Sequence, residues 1–190
     1  MISMPCASGR VAGFTAALLF AAGCGGEAPE EAEGLPAAEA AAPMESAELT
    51  ALRARFDPFQ EFARAEEAGY GSAITPCWYH RENGGQGIHY GKSDLIDGTV
   101  AVMEPELVMY EPQQDGTLQL LAVEYIVPFA QWTDSVPPMV MGESLHRNEA
   151  LELWVHHVWL WRENPSGMHA DWNPNVTCEH ATESEDRADA

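Results

Sequence analysis

From Cys77 onward the chain reads in steps of two, and that period constrains its fold more than any other feature. Residues 151–161 are the strongest such run. Leu151, Leu153, Val155, His157, Trp159 and Trp161 alternate with Glu152, Trp154, His156, Val158 and Leu160. Successive side chains of a strand point to opposite faces, so the run describes a strand with one apolar side. Residues 118–127 form a second run, introduced by a hairpin signal at Gln114-Asp115-Gly116. Shorter strand candidates lie at 88–90, 106–111 and 139–141. Gly84-Gly85-Gln86-Gly87 reads as a flexible loop, and Pro128 and the Pro137-Pro138 pair interrupt extended structure.

Ahead of Cys77 the period changes. Leu49, Leu52 and Phe56 are spaced by three and four, which places them on one face of a helix beginning near Ser46. Asp57-Pro58-Phe59-Gln60 reads as a fresh helical start, with Asp57 as cap, Pro58 at the first position and Gln60 reaching back. Phe59, Phe62 and Ala63 continue an apolar stripe that Gly69 can end. Helices first and antiparallel strands afterwards predict an α+β fold, with N-terminal helices packed on a curved antiparallel sheet or small β-barrel.

The first residues carry a different signal. Arg10 is followed by an uncharged run of apolar or small residues at 11–22, and Ala21, Ala22 and Gly23 precede Cys24. That order describes a secretory signal too short to span a bilayer comfortably. A cysteine directly after the small residues resembles the lipobox of bacterial lipoproteins, although the common form prefers Leu where Ala21 stands. The resemblance implies cleavage before Cys24, lipid on its thiol and a membrane-anchored protein of the cell envelope. The other reading is an ordinary cleaved signal with a chance cysteine. The expected organisation is signal at 1–23, an acidic Ala/Glu/Pro tether at 24–45, one domain at 46–178 and a disordered acidic tail at 179–190. Gly25 supplies no inner-membrane retention signal, so in a two-membrane bacterium the expected place is the periplasmic face of the outer membrane.

Charge narrows the partners. The chain has 30 Asp and Glu against 9 Lys and Arg, with Lys92 its only lysine. Nucleic acid is excluded as a natural partner, because phosphate binding needs clustered basic residues. Of the four cysteines, Cys6 leaves with the signal and Cys24 is the lipidation site. Cys77 and Cys178 remain, and an exported pair forms a disulfide more often than a metal-thiolate or redox site. Its loop of about 100 residues corresponds to roughly 4.7 kcal/mol in the chain-entropy model.

Strand alternation singles out candidate ligands. His157 is the only polar member of the more apolar face of 151–161, and His156 points the other way, partly toward solvent. Leu118, Leu120, Ala122, Glu124 and Ile126 share a face on which Glu124 is the only charge. A carboxylate amid apolar residues needs a partner or must take up a proton. His89 lies among small neighbours in Gly87-Ile88-His89-Tyr90-Gly91. His89, Glu124 and His157 together suit a divalent transition metal with positions left open. Tyr90 and Tyr125 are candidates for supporting hydrogen bonds, and His146, His169 and Asp171 are reserve ligands. The bland alternative is a buried His–Glu ion pair that fixes strand register. Trp154, Trp159, Trp161 and Trp172 serve either sheet packing or an aromatic-lined pocket.

Other chemistries find less support. Ser72, Ser93, Ser135, Ser144 and Ser166 lack a nucleophile-elbow context, and no dinucleotide or phosphate-loop fingerprint occurs. Glu104, Glu106 and Glu111 read as a solvated surface. Two functional classes follow: a metal-binding or metal-dependent domain, and a non-catalytic envelope module for a small ligand or protein partner.

Several segments occur together in order: Gly87-Ile88-His89-Tyr90, Val123-Glu124-Tyr125, His157-Val158-Trp159-Leu160-Trp161, Asn164-Pro165-Ser166-Gly167-Met168 and Ala170-Asp171-Trp172-Asn173-Pro174, followed by Cys178. The series resembles an uncharacterised family of exported bacterial proteins with G-x-H-Y, V-E-Y, H-V-W-L-W and N-P-x-G-M-x-A-D-W-N-P motifs. It covers roughly residues 56–178. The resemblance implies no activity and no catalytic residue. Position 169 is His here where that family carries a bulky apolar residue, which weakens a ligand role for His169.

Overall fold

The signal beginning at Ser46 produces α1, Ala47–Phe56, whose N-terminus is capped by the Ser46 hydroxyl accepting the Leu49 N–H at 3.2 Å. The computed structural model describes residues 46–187. The expected signal, the expected lipidation site at Cys24 and the expected tether at 24–45 lie outside the described residues. Leu52 and Phe56 form the buried face of α1. The second helical start differs from expectation. Asp57–Gln60 is a 3-10 turn, and α2 spans only Phe62–Glu67. Asp57 does not cap it: its carboxylate accepts the Trp161 indole N–H at 2.7 Å. Gly69 follows at φ 99°, the left-handed conformation that glycine adopts without strain.

The remaining described residues build a curled sheet, which makes the whole a mixed α+β domain. Its strands in chain order are β1 Ser72–Ala73, β2 Cys77–His80, β3 Gly84–Gly91, β4 Leu107–Pro112, β5 Leu118–Pro128, β6 Met139–Val140, β7 Glu143–Ser144, β8 His146–Asn148, β9 Leu153–Trp159 and β10 Ser184–Asp186. The main sheet runs β10-β2-β3-β4-β5-β9-β8, with β1 sharing an edge of β3, and β6-β7 forms a separate pair. The path is an open half-barrel, not a closed barrel. Every pair is antiparallel except β10 with β2. That exception falls in the segment expected to be a disordered tail.

The glycine run read as a loop is the first half of β3. Its glycines are needed because other backbone lies where a Cβ would stand. A Cβ at Gly84 would sit 2.1 Å from the Asn173 carbonyl oxygen, and one at Gly87 would sit 2.4 Å from that of Tyr110. Gly87 also has φ 81°.

Both faces of the central strands are buried. Val108, Tyr110, Val123, Tyr125, Val127 and Val158 form one core with Leu52, Phe56 and Ala65 of the helices. The Tyr110 hydroxyl donates to the Phe59 carbonyl at 2.7 Å, and Arg53 donates to the carbonyl of Leu160. The opposite face carries Leu107, Met109, Ala122, Ile126, Val155 and Trp159 in two smaller clusters. The helices therefore cover the side bearing Val158 and Leu160, not the more apolar side of β9. His156 is buried at 4% exposure instead of reaching solvent. Glu106 and Glu111 are also buried and are no solvated surface.

The chain after β9 covers the second face. Asn173 is fully buried and exchanges two backbone hydrogen bonds with Gly85, each 3.1 Å. Its side chain donates to the Glu163 carbonyl and accepts the Asn175 N–H at 2.9 Å. Glu111 accepts the Thr177 N–H at 2.7 Å. The expected Cys77–Cys178 disulfide then ties this segment to β2 across 101 residues, with a Cα–Cα distance of 5.7 Å.

Closing so long a loop restricts the unfolded chain strongly. Cys77→Ser with Cys178→Ser is expected to lower unfolding free energy by roughly 2–5 kcal/mol, measured by urea titration beside the oxidised parent.

Candidate metal centre

Strand register places the three candidate ligands on one face. Glu124 of β5 stands directly opposite His157 of β9. Such cross-strand neighbours have Cβ atoms about 5 Å apart, close enough for their side chains to meet. His89 of β3 pairs with Met109 of β4, which pairs with Ala122 of β5. Its backbone is therefore two strands from β5, about 9.6 Å away in a flat sheet. The curl of the sheet closes that gap.

The resulting group is tight and dry. His89, Glu124 and His157 are only 1%, 5% and 2% exposed. One carboxylate oxygen of Glu124 lies 3.4 Å from His89 Nε2, and the other lies 3.5 Å from His157 Nε2. One ligand atom from each residue falls within 4.8 Å of the others. Metal–ligand bonds near 2.0–2.1 Å at tetrahedral angles place neighbouring ligand atoms about 3.3 Å apart. The two nitrogen–oxygen separations match that edge. Both Nε2 atoms are buried without a hydrogen-bond partner, a costly arrangement for a polar atom.

Each imidazole is held from behind. The His89 Nδ1 is 2.9 Å from the Thr75 hydroxyl, and that oxygen also accepts the His89 backbone N–H at 3.1 Å. The His157 Nδ1 is 3.3 Å from Asp171 Oδ1, an ion-pair distance whose angles fall short of a hydrogen bond. The same oxygen lies 3.2 Å from His146 Nε2. His169 sits beside this group, with Nδ1 3.1 Å from the His157 carbonyl oxygen and its ring stacked on His156 at 4.7 Å. The three reserve ligands are thus neighbours of the centre and not members of the ligand group. Tyr90 and Tyr125 are on the other side of the sheet. Tyr90 packs on Phe62, and the Tyr125 hydroxyl donates to the Val102 carbonyl at 2.6 Å.

Burial sets the charges. It lowers the His89 imidazole to about 3, helped by the nearby His157. It raises the Glu124 carboxyl above its ordinary range, partly offset by His157. Burial pulls His157 down as well, but Glu124 and Asp171 outweigh it, and that imidazole ends above its usual value. His89 therefore offers a neutral nitrogen lone pair, the form that binds metals.

A small pocket of about 50 Å³ opens onto Glu124 and His157, walled by Trp78, Gln86, Asp171, Trp172 and Arg187 among others. Of the four tryptophans singled out, Trp172 lines this pocket. Trp154 and Trp161 pack against the helix-side core, and Trp159 donates to the Ala170 carbonyl at 2.7 Å. Thr75 is the supporting residue that sequence reading missed. It lies between β1 and β2, where no periodicity marks it.

No protein-family model, curated protein or solved structure matches the chain.

Another buried carboxyl lies outside the ligand group. Glu106 is 1% exposed and accepts the Ile126 N–H at 3.0 Å. Burial raises its pKa to about 8, against the counteracting Ile126 hydrogen bond. A raised folded-state pKa means that the folded protein holds this proton more tightly than the unfolded chain. Its contribution is fully present below about pH 4.5 and is lost as pH rises through about 8. Glu106→Gln is expected to flatten the decline of stability across that window, seen as a smaller drop in urea midpoint than in the parent.

Proposed function

We propose that this chain is a lipid-anchored envelope protein whose domain binds one divalent transition-metal ion through His89, Glu124 and His157, leaving a position open toward the pocket. One observation carries the metal reading: two unpartnered, buried imidazole nitrogens flank the two oxygens of one buried carboxylate at ligand–ligand spacing. Two imidazoles and one carboxylate form the donor set of Zn²⁺ hydrolytic sites and of Fe²⁺ oxygenase sites alike. When bound, such an ion supplies Lewis acidity or redox chemistry.

The protein's own residues restrict what reaches the open position. A space of about 50 Å³ admits one to a few waters or a molecule of similar size. Trp78 and Trp172 give it apolar walls, while Asp171 and Arg187 give it polar ones. Glu124 neutralises part of the ion's charge, and His89 and His157 add none when neutral. A larger substrate would have to present a narrow end to the centre.

The anchor reading rests on the small residues before Cys24 and on the physics of acyl chains, several of which hold a protein at a bilayer where one does not. No helix among the described residues is long and apolar enough to cross a membrane.

Elemental mass spectrometry on protein purified without a His-tag tests the metal. The parent is expected to carry near-stoichiometric metal, with His89→Ala, Glu124→Gln and His157→Ala all losing it. Added metal should raise the melting temperature of the parent only, as expected for a ligand that binds the folded state. A metal-free parent, with the three variants merely destabilised, would make the group a core ion pair. For the anchor, Cys24→Ser should move the protein from the detergent phase to the aqueous phase on Triton X-114 partition and abolish labelling by an alkyne fatty acid. Unchanged partition would refute the anchor.

A further inference from the structure

Asp171 links the buried centre to the protein surface. Its Oδ1 stands 3.3 Å from His157 Nδ1 and 3.2 Å from His146 Nε2, so a single carboxylate oxygen faces two imidazoles. Asp171 and His146 are nearly half exposed, whereas His157 is almost fully buried. The carboxylate is not placed by chance packing. Gln86 donates to the Asp171 carbonyl at 3.0 Å, and Asn164 donates to the next carbonyl, that of Trp172, at 3.1 Å. Two residues on, the paired Gly85 and Asn173 backbones fix the segment to β3. His146 belongs to β8 and reaches Asp171 from the other side of β9.

We propose that Asp171 is the positioning residue of the centre: its carboxylate, at ion-pair distance behind His157 Nδ1, favours the proton on that nitrogen, leaves Nε2 as the ligand atom, and is itself faced by His146. The inference rests on the metal reading above and deepens it. A metal-binding imidazole has one nitrogen for the ion and one for an orienting acceptor. Thr75 serves His89 in this way with a neutral hydroxyl. Asp171 serves His157 with a charge, which both fixes the tautomer and strengthens the donor nitrogen. The two halves of the centre are therefore unequal. His89 is oriented by a group on the chain just before its own strand. His157 is oriented by one on the covering segment, through a contact that solvent can reach. The site's hold on its ion thus depends on the covering segment staying in place, although no direct ligand comes from it.

Metal affinity of the full-length protein tests the inference, by competition with a chromophoric chelator using Zn²⁺ and by the visible spectrum after loading with Co²⁺. Asp171→Asn can still accept a hydrogen bond but lacks the charge, and it should weaken Zn²⁺ binding about 10- to 100-fold. Asp171→Ala should weaken it at least as much, and His146→Ala in the same direction by less. The Co²⁺ bands should shift in the Asp171 variants, while the urea midpoint of the metal-free form should change little. Parental affinity and parental Co²⁺ bands in both Asp171 variants would overturn the proposal and leave the three-ligand centre standing. A parent protein that binds neither ion would overturn both. If the Asp171 variants do not fold, His146→Ala decides alone: its residue is half exposed, and unchanged affinity there removes the link.

Discussion

A carboxylate with almost no contact with water is the constraint around which this domain is organised. Glu124 sits in the middle of β5, the strand that joins the two halves of the sheet, and is 5% exposed. Removing a carboxylate from water costs several kcal/mol unless partners replace the solvent. Those partners must come from neighbouring strands on the same face. The register supplies one, because His157 is paired with Glu124. The second, His89, lies beyond β4 and is within reach only because the sheet curls. A flat sheet with this sequence would leave Glu124 with His157 but without His89.

Curling exposes the inner face at its open side, and the chain after β9 covers it. Three kinds of bond hold that cover. Backbone pairing joins Asn173 to Gly85, a charged acceptor on Glu111 takes the Thr177 N–H, and the disulfide ties Cys178 to β2. The glycines of β3 follow from the same need. At Gly84 the covering backbone comes so close that any side chain would collide with Asn173. The segment with the most specific motif, residues 164–174, is therefore largely architectural, and Asp171 is its member that touches the centre.

The legible part of the fold was whatever strand alternation or helix spacing expresses. Leu52 and Phe56 announce the buried face of α1, and the isolated Glu124 and His157 announce a polar group on an apolar stripe. Alternation cannot say which face lies under helices. Both sides of β5 and β9 carry Val, Leu, Ile or aromatics, and the helices cover the one bearing Val158 and Leu160. The glycines at 84–87 misled because flexibility and close approach select the same residue type. Asp57 misled because a side chain that can cap can equally accept an indole N–H from a distant Trp161. Thr75 and the pairing of Asp171 with His157 were beyond sequence reading. They act through the back of an imidazole, and nothing local in the chain marks which residue will stand there.

The difference between an ion pair and a metal centre turns on His89. A carboxylate that needs only one partner already has His157, whose imidazole is held above its usual pKa by Glu124 and Asp171 together, against the opposing effect of burial. His89 brings no charge of its own, because burial and the neighbouring His157 keep it neutral far below physiological pH. Its Nε2 lies beside a carboxylate oxygen without a hydrogen bond, and a bare lone pair in that place is repelled by the oxygen. Thr75 nevertheless fixes the ring with that nitrogen pointing inward. A cation between the two imidazoles and the carboxylate would turn that repulsion into three favourable contacts, and would use both of the unpartnered Nε2 atoms.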